Sequence, residues 1–148
     1  MNVAIVGLGL IGGSLAKSTK VRTAHTVYGI DLDADTMMMA RMCGAIDAPL
    51  TEENLPQCDL ILIAIRPDAA IRWLQTHADQ ISKSAILVDL CGVKRVVVDA
   101  LTPIAEEHGF SYIGGHPMAG THHSGYKYSK SSISPILSPK KNTYPAFF

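Results

Sequence analysis

Short, unbroken apolar runs recur along the chain and indicate strands that are buried on both faces. The clearest runs lie at residues 3–6, 60–65 and 85–88. Strands of a parallel sheet show this pattern because helices cover both faces of the sheet. Two further strands are predicted at residues 26–30 and 110–113, and a short edge strand is predicted at residues 45–46.

Helical periodicity fills the segments between these runs. Apolar residues recur at helical spacing from residue 93 to residue 105, which predicts a helix with a single buried stripe. Pro103 is expected to kink this helix, and Gly109 is expected to end it. A weaker helical face begins at residue 67. The methionines at residues 37, 38, 39 and 42 predict another helix, in which they are interpreted as core-filling side chains.

The alternation of strands and helices predicts an α/β fold, in which a mostly parallel sheet is doubly wound by helices. A chain of 148 residues is long enough for one domain with a proper core. We expect this domain to span residues 1–125. The periodic pattern is lost after Gly125, so residues 126–148 are interpreted as a tail or a truncated linker.

Charge and composition argue against several classes of partner. Thirteen basic and thirteen acidic residues give a net charge of zero, so no overall field favours nucleic acid or an anionic membrane. No apolar run reaches the roughly 18 residues of a membrane span, and the N-terminus lacks the pattern of a signal peptide. Three cysteines without metal-type spacing indicate small, buried free thiols. We therefore expect a cytoplasmic protein without a metal site.

The first predicted strand ends in a glycine motif that suits a phosphate. Gly7 permits a tight turn, Gly9 lets the backbone approach a pyrophosphate, and Gly12 lets the following helix pack closely on the strand. The amides of Leu10 and Ile11 open that helix, where its dipole favours negative charge. A strand, this motif and a helix in succession predict a Rossmann-type dinucleotide site.

An acid at the end of the second strand suggests which dinucleotide binds. Asp31 lies about 20 residues beyond the glycines, where a carboxylate can bond the adenosine ribose hydroxyls. A carboxylate repels a 2′-phosphate, so the sequence favours NAD over NADP. Alternatively, Asp31 caps the next helix and Asp33 takes the ribose. Arg66, at the end of the fourth strand, lines the cofactor groove or is simply solvated.

The most distinctive segment surrounds His116. Pro117 restricts the backbone at His116, and the glycines on either side allow a sharp turn beside a ligand. An imidazole at this edge of the sheet can accept the proton that an alcohol loses on oxidation. The alternative is a structural histidine that bonds a loop carbonyl. His122 and His123 are interpreted as structural, and no zinc site is expected from the three histidines.

Three motifs resemble those of prephenate dehydrogenases. They are GLGLIGGSLA at residues 7–16, DLCGVK at residues 89–94 and GHPMAG at residues 115–120, followed by Ser124 and Gly125. The glycine motif is shared with many dehydrogenases, whereas the histidine motif is much more particular. The resemblance covers about residues 1–128 in order and spacing.

This resemblance implies the cofactor half of an NAD-dependent oxidoreductase of tyrosine biosynthesis. Such enzymes oxidatively decarboxylate prephenate to 4-hydroxyphenylpyruvate, or act on arogenate, its aminated relative. The family's catalytic histidine matches His116, which bonds the substrate hydroxyl and assists its deprotonation. By the same resemblance, Gly92, Gly120 and Thr121 are expected to line the substrate site together with His116.

Two departures from the family pattern qualify this expectation. The family commonly has serine at the position of Gly92, where its hydroxyl helps to organise the histidine and substrate. The family also carries a second, helical domain, which supplies the dimer contact and an arginine for the substrate carboxylate. We expect activity to be impaired without it. The alternatives are a non-catalytic NAD-binding module and another small Rossmann dehydrogenase or reductase.

Overall fold

A computed structural model describes residues 1–116 and 125–132 of the chain. Within these residues, six strands form a single parallel sheet in the order β3-β2-β1-β4-β5-β6. This is the strand order of the Rossmann fold, and it confirms the predicted fold class. The strands are β1 (Asn2–Val6), β2 (Thr26–Ile30), β3 (Ala48–Pro49), β4 (Leu60–Ile63), β5 (Ile86–Asp89) and β6 (Ser111–Gly114).

In the described part of the chain, four α-helices connect the strands. They are α1 (Leu10–Arg22), α2 (Ala34–Met42), α3 (Pro67–His77) and α4 (Lys94–His108), and short 3-10 helices lie at Leu55–Gln57, Ala78–Gln80 and Tyr126–Tyr128. Local chemistry sets several of their ends. Asp33 caps α2 by accepting from the Thr36 amide at 3.1 Å, and Pro67 opens α3. Gly109, at φ 81°, ends α4 in the left-handed region, as predicted, whereas Pro103 lies inside α4 without ending it.

The sheet separates two apolar cores, because successive residues of each strand point to opposite faces. Ala4 and Val6 of β1 pack in the core beneath α3 and α4, whereas Val3 and Ile5 pack in the core beneath α1 and α2. Tyr126 joins the second core and is only 5% exposed. The residue that follows the predicted domain boundary is therefore packed against the domain.

The predicted edge strand at residues 45–46 is wrong. The edge strand is β3, three residues later, where Ala48 pairs with Tyr28. The amides of Ala45 and Ile46 donate instead to the Ala40 carbonyl, at 2.9 and 3.4 Å, and so take no part in the ladder. Both side chains are buried in the core beneath α1 and α2, which accounts for their apolar character.

Several apolar residues that were predicted to be buried lie at the surface. The helix α2 buries Thr36 and Ala40, so only one narrow face meets the sheet. The α4 stripe is buried at residues 97, 101 and 105. The exposed residues are Met38, Met39, Met42, Val93 and Val96, and the Cys43 thiol also lies at the surface, contrary to prediction.

Candidate functional site

The glycine loop, residues 7–12, is shaped by steric limits at two of its glycines. Gly7 has φ 88°, and a Cβ there would lie 2.3 Å from Ile65 Cγ2 and 2.7 Å from the Ala64 carbonyl oxygen. A Cβ at Gly12 would lie 1.8 Å from the Gly7 carbonyl oxygen. The absence of side chains at Gly7 and Gly12 lets β1, α1 and the end of β4 approach one another closely. These distances confirm the close helix–strand packing expected from the sequence.

Gly9 differs from both because the space that a side chain would occupy is empty. A Cβ there would meet no atom within 4 Å. Gly9 is also the N-cap of α1, and it has no side chain with which to bond the first amides of the helix. The first amides of a helix lack intrahelical acceptors, so those of Leu10 and Ile11 are suited to an anion from outside. The loop thus leaves open space at Gly9 beside the positively polarised start of α1.

Asp31 and Asp33 have separate structural roles. The Asp31 carboxylate accepts from the Leu8 amide at 2.7 Å and from the Asp33 amide at 3.0 Å. Asp33, in contrast, caps α2, and its hydrogen bonds from the Thr36 hydroxyl and amide lower the pKa of its carboxyl. The alternative in which Asp31 is the helix cap is therefore wrong. A carboxylate has about four lone-pair sites, so Asp31 can still accept from a ligand.

Arg66 lies where β4 meets α3. Its side chain is 87% exposed and approaches Asp68 at 3.4 Å. Asp68 also pairs with Arg72 at 3.0 Å, and the hydrogen bond from Arg72 is the main reason that the pKa of Asp68 is lowered. An exposed pair of this kind contributes little to stability, so the Arg66 guanidinium can turn toward a ligand at low cost.

A buried carboxylate at the end of β5 organises the opposite side of the site. Asp89 is fully buried and accepts from the Tyr112 hydroxyl at 2.6 Å, from the Cys91 amide at 3.0 Å and from the Lys94 ammonium. These bonds join the ends of β5 and β6 to the start of α4. A buried charge needs such partners. The sequence analysis identified Asp89 and Lys94 only as part of a family motif and predicted no role for them. An acidic residue at the end of an apolar strand is the feature that could have indicated one.

His116 follows a glycine that contacts the backbone of Asp89. The amide of Gly115 donates to the Asp89 carbonyl at 2.9 Å, and a Cβ at Gly115 would lie 2.8 Å from the same oxygen. Gly115 is therefore fixed against β5, and the exposed His116 side chain follows it at the sheet edge. At Gly92, which is also exposed, a Cβ would meet no atom within 4 Å. The absence of the expected serine is therefore not a steric requirement of the fold.

The strand register brings these groups to one edge of the sheet. Val6 of β1 pairs with Ile30 and Ile63, Ile63 pairs with Asp89, and Asp89 pairs with Gly114. The residues that follow these strands therefore form one row, from Asp31 through the glycine loop to His116. Four strand spacings give the row a length of about 19 Å. The predicted substrate contacts Gly120 and Thr121, with His122 and His123, lie outside the described residues.

Burial makes the thiol beside this row unreactive. Burial and the neighbouring Asp89 raise the pKa of Cys91 to about 12, and its Sγ lies 3.4 Å from the Ile65 carbonyl oxygen. Within residues 1–116 and 125–132, His, Cys, Asp and Glu form no group of three or more that could hold a metal ion. In the same part of the chain, no helix combines the length and apolarity needed to cross a bilayer.

Sequence comparisons relate this chain to a family of dinucleotide-dependent enzymes. The family model for the prephenate dehydrogenase nucleotide-binding domain matches residues 15–144. Prephenate dehydrogenase from Bacillus subtilis is 29% identical over 149 residues, which cover 95% of this chain and 40% of that protein.

Two solved structures share the fold at similar identity. Prephenate dehydrogenase from Aquifex aeolicus, in complex with hydroxyphenyl propionate and NAD+, has a TM-score of 0.77 at 28% identity, covering 90% of this chain and 47% of that one. Arogenate dehydrogenase from Synechocystis has a TM-score of 0.79 at 27% identity, covering 90% of this chain and 46% of that one. The chain thus spans less than half the length of these relatives. It belongs to the prephenate dehydrogenase family and corresponds to the family's nucleotide-binding domain.

Proposed function

We propose that this domain binds NAD along the row from Asp31 to His116 and takes part in the NAD-dependent oxidative decarboxylation of prephenate or arogenate. The observation that carries the proposal is the row itself. A carboxylate tied to the glycine loop lies at one end, and an exposed imidazole lies at the other. The A. aeolicus relative binds NAD+ and hydroxyphenyl propionate, which supports the same two ligand classes here.

The glycine loop fits the pyrophosphate of the cofactor. Gly7 and Gly12 hold the loop in shape, the open side of Gly9 admits the phosphates, and the Leu10 and Ile11 amides donate to them. Asp31 accepts from the ribose hydroxyls with the lone pairs that Leu8 and Asp33 leave free. Its charge opposes a 2′-phosphate, so NAD is preferred to NADP. Arg66 lines the groove between the two halves of the row.

His116 serves as the proton acceptor of the reaction. NAD supplies the hydride acceptor, and prephenate leaves as 4-hydroxyphenylpyruvate and CO2. As the ring carbon loses its hydride, its hydroxyl loses a proton, which a ring nitrogen of His116 takes up. Gly92, Gly120 and Thr121 complete the substrate side. Fixed placement of His116 is valuable here, because positioning contributes several kcal/mol to reactions of this kind.

The direct test is NADH formation by the purified chain with NAD and prephenate. We expect His116→Ala to lose at least 100-fold in rate, the low end of what a general base contributes. The matched control is His25→Ala, because His25 precedes β2 at the opposite edge of the sheet. Equal loss in both variants would remove His116 from the mechanism. Rates with arogenate and with a panel of 2-hydroxy acids separate this reaction from that of another Rossmann dehydrogenase.

A second candidate function is NAD binding without catalysis. It is favoured by Gly92, where the family commonly has serine. Calorimetric titration with NAD, combined with absence of NADH formation, would establish it. Gly92→Ser tests this cause, because the open space accepts the side chain. Activity that appears only in Gly92→Ser would identify the missing hydroxyl as the cause.

Assembly and location follow from the same proposal. The unpaired cysteines at residues 43, 58 and 91 suit a reducing compartment, and we place the reaction in the cytoplasm. A homodimer stays a prediction, which sedimentation of the purified chain will test.

A further inference from the structure

The helix α1 begins without the side chains that commonly stabilise a helix start. Its N-cap, Gly9, has no side chain to accept from the first amides, and its first turn, residues 10–13, contains no acidic residue. Gly12 and Gly13 lie within that turn, and glycine is among the least helix-favouring residues. The helix α2, in contrast, begins with the Asp33 cap. The start of α1 therefore depends on contacts from outside the helix.

Residues 126–130, which we call the strap, pack against this helix start. A Cβ at Gly13 would lie 2.7 Å from Tyr126 Cδ2 and 3.0 Å from Ser129 Oγ. Tyr126 and Ser129 are only 5% and 6% exposed, so the contact is tightly packed. Gly12 lies against the loop that follows β1 instead. The start of α1 is thus packed from two sides, by the end of β1 and by the strap.

Polar contacts hold the strap on α1. The Lys17 ammonium donates to the Ser129 carbonyl at 3.0 Å and lies 4.3 Å from the centre of the Tyr126 ring. The Lys130 amide donates to the Ser14 hydroxyl at 3.1 Å. Because Ser14 is fully buried, this bond serves a hydroxyl that solvent does not reach. The strap is therefore bonded to α1 at both Ser129 and Lys130.

The two residues of α1 that meet the strap also bond the proposed phosphate site. The Gly13 amide donates to the Gly9 carbonyl at 2.9 Å, and the Ser14 hydroxyl donates to the Leu10 carbonyl at 2.6 Å. In the proposed function, Gly9 leaves space for the pyrophosphate and Leu10 supplies an amide to it. A single residue, Gly13 or Ser14, therefore separates the strap from the residues that receive the cofactor.

We propose that the strap and the cofactor stabilise the same helix start, so that each strengthens the binding of the other. This inference rests on the proposed function for the position of the pyrophosphate. The strap restrains Gly13 and Ser14, and the pyrophosphate supplies the negative charge that the first turn lacks. Two groups that order the same element favour each other, because the first to bind has already reduced the freedom that the second must restrict. By linkage, the coupling is equal in both directions.

The first test is backbone amide exchange without cofactor. Lys17→Met removes the contacts of the ammonium with the strap. We expect the Gly13 and Lys130 amides of this variant to exchange about fivefold faster or more, the low end of typical couplings. The matched control is Lys20→Met, because Lys20 lies one turn further along α1 and pairs with Asp47. A Gly13 amide that keeps its wild-type rate, or that accelerates equally in Lys20→Met, overturns the inference.

The second test is calorimetric titration of the same variants with NAD. The Kd for NAD should rise about fivefold or more in Lys17→Met and stay unchanged in Lys20→Met, although both variants lose one positive charge. Tyr126→Leu repeats the comparison without a change of charge. It removes the ring that packs against Gly13 and lies beneath the Lys17 ammonium, so the same rise is expected.

The reciprocal measurement uses the wild-type chain. Saturating NAD should slow exchange of the Lys130 amide about fivefold or more relative to the Thr23 amide, which donates to Thr19 at the other end of α1. If NAD binds, but its affinity is the same in all variants and Lys130 exchange does not slow, the coupling is absent and the inference is wrong. If the wild type binds no NAD, the proposed function is wrong, and exchange without cofactor still decides whether the strap holds the helix start.

Discussion

The carboxylate of Asp31 accepts a hydrogen bond from the amide of Leu8 at 2.7 Å. This bond joins the end of β2 to the glycine loop after β1, so the proposed ribose and pyrophosphate sites form one unit. The Asp33 amide bonds the second carboxylate oxygen and fixes the plane of the group. Neither bond was evident from the sequence, which suggested only that an acid ends the second strand.

Asp31→Asn should therefore weaken NAD binding and reduce discrimination against NADP. The amide keeps one acceptor oxygen but loses the charge, and hydrogen bonds to charged groups contribute about 1.5–3 kcal/mol. We expect a roughly ten- to hundredfold rise in the Kd for NAD by calorimetry. Asp33→Ala is the control. It removes the α2 cap and lowers the stability of the domain, with the NAD Kd unchanged. A similar affinity loss in both variants would contradict the assignment.

Gly9 and Gly12 should respond differently to the same substitution. Gly12→Ala places a Cβ 1.8 Å from the Gly7 carbonyl oxygen. We therefore expect the unfolding free energy to fall by about 1–3 kcal/mol or more, or the variant to fail to fold. Gly9→Ala meets no atom within 4 Å, so its melting temperature should stay within a few degrees of wild type. The added methyl group fills the space proposed for the phosphates, and NAD affinity should fall at least tenfold. Normal NAD binding by Gly9→Ala would exclude this cradle.

The parts of the site that could be predicted from the sequence are those that depend on residues close together along the chain. The turn at Gly7, the helix opening at Leu10 and the end of α4 at Gly109 follow from local backbone limits. The contact of Tyr112 with Asp89 could not be found this way, because the pairing of β5 with β6 brings the two residues together. The hydrogen bond from the Lys130 amide to the Ser14 hydroxyl is less local still, since the two residues lie 116 positions apart.

The same distinction explains the errors at the surface. Periodicity predicts a buried stripe from residue 93 to residue 105, but it cannot show where the sheet stops covering the helix. Val93 is the N-cap residue before α4 and Val96 lies at the border of the buried stripe, so both remain about 60% exposed although Val97 is fully buried. The methionines of α2 carry no periodicity that distinguishes a narrow buried face from a broad one. The buried face of α2 is the one that carries Thr36 and Ala40, and this leaves Met38, Met39 and Met42 exposed.

Tyr112→Phe should destabilise the domain by removing a donor to the buried Asp89 carboxylate. A hydrogen bond to a buried charge contributes about 1.5–3 kcal/mol, and the vacated oxygen gains no solvent in exchange. Urea unfolding measures this difference. Tyr28→Phe is the control, because the Tyr28 ring packs against the core beneath α3 and α4 without touching Asp89, and about 0.5 kcal/mol or less is expected. Equal losses would mean that Asp89 does not depend on the tyrosine.

The three thiols should react with an aromatic disulfide in an order that burial sets. Thiolates are the reactive species, and burial raises the pKa of Cys58 to about 11 and that of Cys91 to about 12, so both stay protonated at pH 8. Cys43 is exposed and should account for a single fast phase, which Cys43→Ser should abolish. All three should react after unfolding.

The pH dependence of stability and of thiol labelling provides a second check on Cys58 and Cys91. The folded-state pKa values of Cys58 and Cys91 lie above the ordinary value of 9.0, so the unfolded chain loses these protons first. Their contribution to stability is therefore complete below about pH 9 and declines as the pH rises beyond it. Cys58 should become reactive before Cys91 as the pH approaches 11. Rapid labelling of Cys91 in the native protein at pH 8 would show that the end of β5, and with it the support of His116, opens in solution.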